Sequence, residues 1–167
     1  MTIEVGTKVK NKLSGITGYV AMKQETLTGY TWLGVQPKAK ANATEEPKVV
    51  WGDDCEWEPI LLRGKLQTVE RPAEPNPRHP RFVLGAKLRD KVTGFEGIAT
   101  TRTEHLNRCW DYAIQATKLK RSRHGGGTGA FESFQAPRLE LRGNGMREKV
   151  QPVRSGATPG AMARKGY

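Results

Sequence analysis

Residues 5–10 alternate, with Val5, Thr7 and Val9 against Gly6, Lys8 and Lys10, the two-residue period of a half-buried strand. Residues 14–18 form a glycine-punctuated turn, and residues 18–22 restart a strand. Residues 30–36, rich in aromatic and β-branched side chains, read as a central strand. The same succession returns later. Leu84, Ala86 and Leu88 alternate, residues 93–97 turn, residues 98–100 restart, and residues 109–115 form the central strand. Residues 24–29 and 103–108 read as polar connections around one buried leucine, Leu27 or Leu106.

The return is a repeat with an offset of 79 residues. Gly6 falls on Gly85, Lys8 on Lys87, Lys12 on Lys91, Gly15 on Gly94 and Gly18 on Gly97. Glu25, Leu27 and Gln36 then fall on Glu104, Leu106 and Gln115. An internal repeat of this kind decides the organisation of a chain, and two copies make a tandem pair. Glycines three apart at equivalent places predict positive φ or close strand approach. After Gln36 the copies diverge, into a polar alanine-rich loop at 37–47 and a longer basic, glycine-rich one at 116–129. Both return through an aromatic-acidic strand, 49–57 or 130–135. Each closes on apolar residues, Ile60–Leu62 or Leu139 and Leu141, with the offset of 79 retained. The expected cores are Val9, Leu13, Val20, Leu27, Trp32, Val35 and Trp51, and Leu88, Val92, Ile98, Leu106, Tyr112, Ile114 and Phe131.

Five short strands per copy predict an all-β protein of two small barrels or tightly curled sheets, at 1–62 and 82–142. Between them, residues 63–81 carry Pro72, Pro75, Pro77 and Pro80 and read as a semi-extended linker. Residues 143–167 offer little to bury, and are expected to be an extended basic arm, disordered when alone. With 36% hydrophobic residues over two small units, each core is thin. No membrane-length apolar run and no secretory leader is expected. Cys55 and Cys109 occupy non-equivalent positions and read as free, buried thiols.

The formal charge of +11 is concentrated. Residues 116–129 hold Lys118, Lys120, Arg121 and Arg123 without an acid. From Arg142 onward the chain holds Arg142, Arg147, Lys149, Arg154, Arg164 and Lys165 against Glu148. The opposite pole is acidic, with Asp53, Asp54, Glu56 and Glu58 following Glu45 and Glu46. Such asymmetry speaks of partners rather than of fold. On one strand Asp54, Glu56 and Glu58 would share a solvated face, and the pattern does not recur in the second copy. His79, His105 and His124 pair with no carboxylate or cysteine at a recognisable spacing. Residues 125–129, GGGTG, lack the Lys-Ser/Thr of a phosphate loop. No catalytic site, metal site or cofactor is expected.

The Gly-Xaa-Lys-Val-Lys start at Gly6, followed by a glycine turn and Gly18-Tyr-Val, resembles the KOW motif of ribosomal proteins and transcription elongation factors. The resemblance implies part of a small Src-homology-3-like barrel, and some such barrels bind RNA. Lys8, Lys10, Lys12 and Lys23, with Lys87, Arg89, Lys91 and Arg102, would then form a phosphate track. Tyr30, Trp32, Trp110 and Tyr112 would offer stacking faces.

The fuller pattern from Gly85 to Ala99, then Thr103-Glu-His-Leu-Asn and a strand ending in Gln115, resembles small proteins encoded by tailed bacteriophages and prophages. The first copy departs from it with Asn11 for Asp90, Ile16 for Phe95 and Gly29 for Arg108. This resemblance implies a non-enzymatic virion protein made in the bacterial host cytoplasm. Capsid decoration or cement is the foremost role, with a neck, tail or baseplate accessory next. Its partners would be other virion proteins, the major capsid protein foremost, with homo-oligomerisation open. The Arg142–Lys165 cations would engage acidic patches on neighbours. Nucleic-acid binding by a KOW-like module is the alternative.

Overall fold

The computed structural model describes residues 2–39, 44–72, 81–117, 130–143 and 145. The first repeat runs β1 (Lys8–Asn11), β2 (Thr17–Thr26), β3 (Thr31–Pro37), β4 (Val50–Asp53), a 3-10 turn (Asp54–Glu56) and β5 (Trp57–Pro59). A small hairpin follows, β6 (Leu61–Leu62) and β7 (Lys65–Leu66). The second repeat is β8 (Lys87–Asp90), β9 (Glu96–His105), β10 (Trp110–Ala116), β11 (Phe131–Gln135), a 3-10 turn (Ala136–Arg138) and β12 (Leu139–Gly143). The protein is all-β, and ten of these strands form one antiparallel sheet.

The first three strands of each repeat keep the offset of 79, but three extra residues before β11 raise it to 82. Trp57 opens β5 opposite Asn11, and Leu139 opens β12 opposite Asp90. The equivalents of Leu139 and Leu141 are therefore Trp57 and Pro59, not Ile60 and Leu62. In both repeats the last strand pairs with the first.

Each repeat has its own core. Val5, Val9, Val20, Leu33, Val35 and Trp57 fill the first, and the second includes Ala86, Leu88, Ala99, Tyr112, Ile114, Phe134 and Leu139. Several expected core residues lie outside. Leu13 and Val92 are 86% and 75% exposed, because both sit at the tip of an Asx turn. There the Asn11 side-chain oxygen accepts the Leu13 and Ser14 amides, and Asp90 accepts Thr93. Trp32, Trp51 and Phe131 are exposed by strand alternation, since Leu33, Gly52 and Phe134 point inward. Leu27, Ile98 and Leu106 are half-buried.

Gly15 and Gly94 have φ of 72°, whereas Gly18 and Gly97 do not have positive φ. The latter are glycine for space. A Cβ on either would strike the carbonyl of Gln36 or Gln115 on the neighbouring strand.

The repeats are fused by β2 and β9. Their register pairs Met22 with His105, Gln24 with Thr103 and Thr26 with Thr101. Gln24 and Thr103 are equivalent residues, so the junction has an approximate two-fold axis between them. Bulges at the equivalent residues Ala21 and Thr100 serve it. The Ala21 carbonyl accepts the Leu106 amide at 2.8 Å, and the Thr100 carbonyl accepts the Leu27 amide at 2.7 Å.

The boundary expected after residue 62 falls inside the β6–β7 hairpin, where Arg63 and Gly64 take φ of 50° and 77°. Beyond it, the Lys8 amide donates to Gln67 and the Val69 amide to Gly6. Arg71 then crosses to the second repeat, donating to the Glu104 carboxylate at 2.7 Å and to the His105 carbonyl. The expected linker thus lies on both repeats as far as Arg71. Residues 73–80, with Pro75, Pro77, Pro80 and His79, lie outside the described residues.

Candidate partner-binding face

Side chains directly opposite in an antiparallel pair share a face. Following the registers across β4, β3, β2, β9, β10 and β11 therefore defines the outward side of six strands, opposite both cores. One row reads Trp51, Gly34, Met22, His105, and the next reads Asp53, Trp32, Gln24, Thr103, Asp111, Gln135. A third reads Thr26, Thr101, Ala113, Ser133. In a chain with 28 lysines and arginines, none stands in these three rows.

Trp32 and Trp51 are the largest groups there, 43% and 42% exposed. Gly34 makes room for the Trp51 ring, whose atoms would lie 3.1 Å from a Cβ built at that glycine. Asp53 stands directly across from Trp32. At the other end, His105 Nε2 and Asp111 Oδ2 lie 2.8 Å apart, a pairing across the β9–β10 turn that sequence spacing did not reveal. The second Asp111 oxygen is buried without a hydrogen-bond partner.

The expected acidic patch does not form one surface. The strand predicted over 49–57 breaks into the 3-10 turn at Asp54, so alternation stops there. Asp53 belongs to the outward face, whereas Asp54 lines a cleft with Lys12, Lys23 and Glu25. Glu56 reaches toward Gly52, and Glu58 lies opposite Lys10. None of the four has an ion-pair partner among the described residues. Cys55 on this turn is exposed and free, which corrects the expectation of two buried thiols; Cys109 is half-buried and free.

The expected phosphate track is occupied by local contacts. Lys23 pairs with Glu4 and Glu25, Arg102 with Glu25, and Lys87 and Arg89 with Glu96. Lys8 donates to Gln67, and Lys12 to the Cys55 carbonyl. Lys10 and Lys91 remain exposed. Of the expected stacking residues, Trp110 is flanked by Arg81 and Arg102, whose guanidinium carbons lie 5.4 and 5.6 Å from its ring. Tyr112 is buried, and burial raises its phenol pKa. Its hydroxyl accepts the Phe82 amide and donates to the Phe82 carbonyl. Tyr30 is exposed at the β2–β3 turn.

Arg142 belongs to β12 and pairs with Glu140 at 2.8 Å, so it is not part of an arm. Arg147, Lys149, Arg154, Arg164 and Lys165 lie outside the described residues, as do Lys118, Lys120, Arg121, Arg123, His124 and the 125–129 glycines. Among the described residues no group of three or more metal-ligating side chains occurs, and no helix is long and apolar enough to cross a membrane. In comparisons with family models, curated proteins and solved structures, none matches this chain.

Proposed function

We propose that the chain is a non-enzymatic assembly protein of a tailed-phage particle, with capsid decoration the foremost role. It consists of two Src-homology-3-like barrels fused through one sheet. In this reading the outward sheet face and the basic C-terminal arm bind neighbouring subunits. The observation that carries the reading is the face itself, continuous over both repeats and bearing two half-exposed indoles and no lysine or arginine. Protein interfaces are depleted of lysine at their centres, and tryptophan leads their energetic hot spots. The barrels do not need the indoles. At the equivalent positions the second repeat holds Asp111 and Ser133, on strands with the same registers.

The nucleic-acid alternative needs aromatic faces beside free cations. Here the exposed indoles stand on the cation-free side, and most candidate cations are engaged with acids or carbonyls elsewhere. The resemblance to phage-encoded proteins supports the choice of particle, and the cation-free face with its indoles supports contact through protein.

Quantitative mass spectrometry of particles from the phage or lysogen encoding the chain tests the proposal. The chain is expected in the particles at stoichiometric level. The double variant Trp51→Ser, Trp32→Thr is expected to lower incorporation about tenfold with its melting midpoint retained. A chain absent from particles, binding DNA or RNA with a steep salt dependence, would overturn the reading.

A further inference from the structure

We infer that, in the free chain, the outward face of the first repeat is the docking site for the chain's own basic C-terminal segment, residues 146–167. This inference does not depend on the virion reading. It joins three observations. First, the receptor side is chemically suited to a cationic chain. Trp32 and Trp51 offer π faces, Asp53 lies between them and the acidic turn, and no cation in the rows competes. Guanidinium and ammonium groups bind indole faces, and do so best beside a carboxylate.

Second, the carboxylates in the three rows are Asp53 and Asp111, with no lysine or arginine beside them there, on a protein whose total charge is +11. Of the acids within 45–58, Asp53 stands on the face itself, while Asp54 shares a cleft with Lys12 and Lys23 and Glu58 lies opposite Lys10. The segment 146–167 carries Arg147, Lys149, Arg154, Arg164 and Lys165 against Glu148. Carboxylates on a face without cations select and orient an oppositely charged segment. The second repeat lacks the combination, with Asp111, Ser133, Gln135, Ala136 and Arg138 where the first has Trp32, Trp51, Asp53, Asp54 and Glu56.

Third, the tether reaches. The segment follows β12, and the path of paired strands β12, β8, β9, β2, β3 and β4 is five steps, roughly 24 Å at about 4.8 Å per step. The 22 residues from 146 to 167 extend up to about 70 Å. A tether that spans its site gives an effective concentration near the millimolar range, so the segment of the same chain outcompetes that of another copy in dilute solution.

Carbodiimide cross-linking of the full-length protein, followed by peptide mass spectrometry, tests this. The reagent joins a carboxylate to a lysine amine without a spacer. Mixing light and heavy isotope-labelled chains separates links within a chain from links between chains. Links from Lys149 or Lys165 to Asp53 or the acids of the adjoining turn are expected, within one chain and independent of protein concentration. They should fall about tenfold in Trp51→Ser, Trp32→Thr, which keeps every carboxylate. They should also fall as salt shortens the screening length toward about 3 Å near 1 M. Links spread evenly over Glu96, Glu132 and Glu140, links between chains only, or links unchanged in the double variant would each overturn the inference. An assembly role through the same face would remain separately testable by incorporation into particles.

Discussion

Asp90 and its counterpart Asn11 show how one scaffold position is solved twice. Both lie buried at the end of a first strand and accept amides from the following turn. Opposite Asp90 stands Arg138, which donates from Nε at 3.0 Å and from Nη2 at 2.8 Å. Opposite Asn11 the equivalent residue is Glu56, and a neutral amide there avoids facing one carboxylate with another. The Arg138 pair, then the Thr93 hydrogen bonds, hold the Asp90 carboxyl well below the usual carboxylate range despite its burial. A depressed carboxyl favours the fold above the unfolded value of about 3.9, and that contribution is lost as pH falls through the folded value. The wild-type denaturant midpoint is thus expected to drop steeply below about pH 4. Asp90→Asn should start lower at neutral pH and show a flatter acid limb. Equal slopes would mean that the pair carries no linked proton.

Arg108 offers the opposite test, at a place where the sequence already held the clue. It occupies φ of 65°, where the first repeat has Gly29 at 89°. A left-handed conformation strains a residue with a Cβ. Arg108→Gly is therefore expected to raise stability by about 1 kcal/mol in urea denaturation, and Gly29→Ala to lower it by a similar amount.

Among the elements, the first three strands of each repeat were readable because alternation and glycine spacing are local. The later register was not, since an insertion in a polar loop leaves no mark on the periodicity and moved the true partners of Leu139 and Leu141 to Trp57 and Pro59. Trp32 and Trp51 are expected in the core, but alternation from Leu33 and Val35 already puts Trp32 outside, and only the β3–β4 register, with Trp51 opposite Gly34, puts Trp51 on the same side. The pairing of β2 with β9 was the least legible feature, because a strand's partner is chosen by tertiary packing. Its trace is a charge palindrome. Lys23-Gln24-Glu25 meets Arg102-Thr103-Glu104 antiparallel, which sets Lys23 opposite Glu104 and Glu25 opposite Arg102. The latter two form a direct ion pair. Arg102→Glu is expected to cost about 1 kcal/mol by placing like charges opposite each other. Adding Glu25→Arg should recover most of that loss. A double variant no better than the single would show that the junction is held by its backbone bonds alone.

At the scale of the whole molecule, the issue is whether two cores in one sheet behave as one folding unit. Each core is small, and a unit of this size is marginal alone. The junction adds strand pairing over Met22–Thr26 and His105–Thr101, with two further amide bonds through the bulges. Leu106 of the second repeat packs against the core of the first. Arg71, leaving the first repeat, is bonded to Glu104 of the second. Opening either repeat would leave β2 or β9 as a bare edge with half-buried charges beside it, and exposed edges of that kind are unfavourable. The two repeats are therefore expected to unfold together, in one calorimetric transition whose van't Hoff and calorimetric enthalpies agree. Weakening the junction with Leu106→Ala together with Arg102→Glu should split that transition into two, since neither substitution removes a residue from the fully buried interior of either core. A wild type that already melts in two steps would mean that the shared sheet joins the repeats geometrically without coupling their stability, and that the outward face is two independent surfaces rather than one rigid platform.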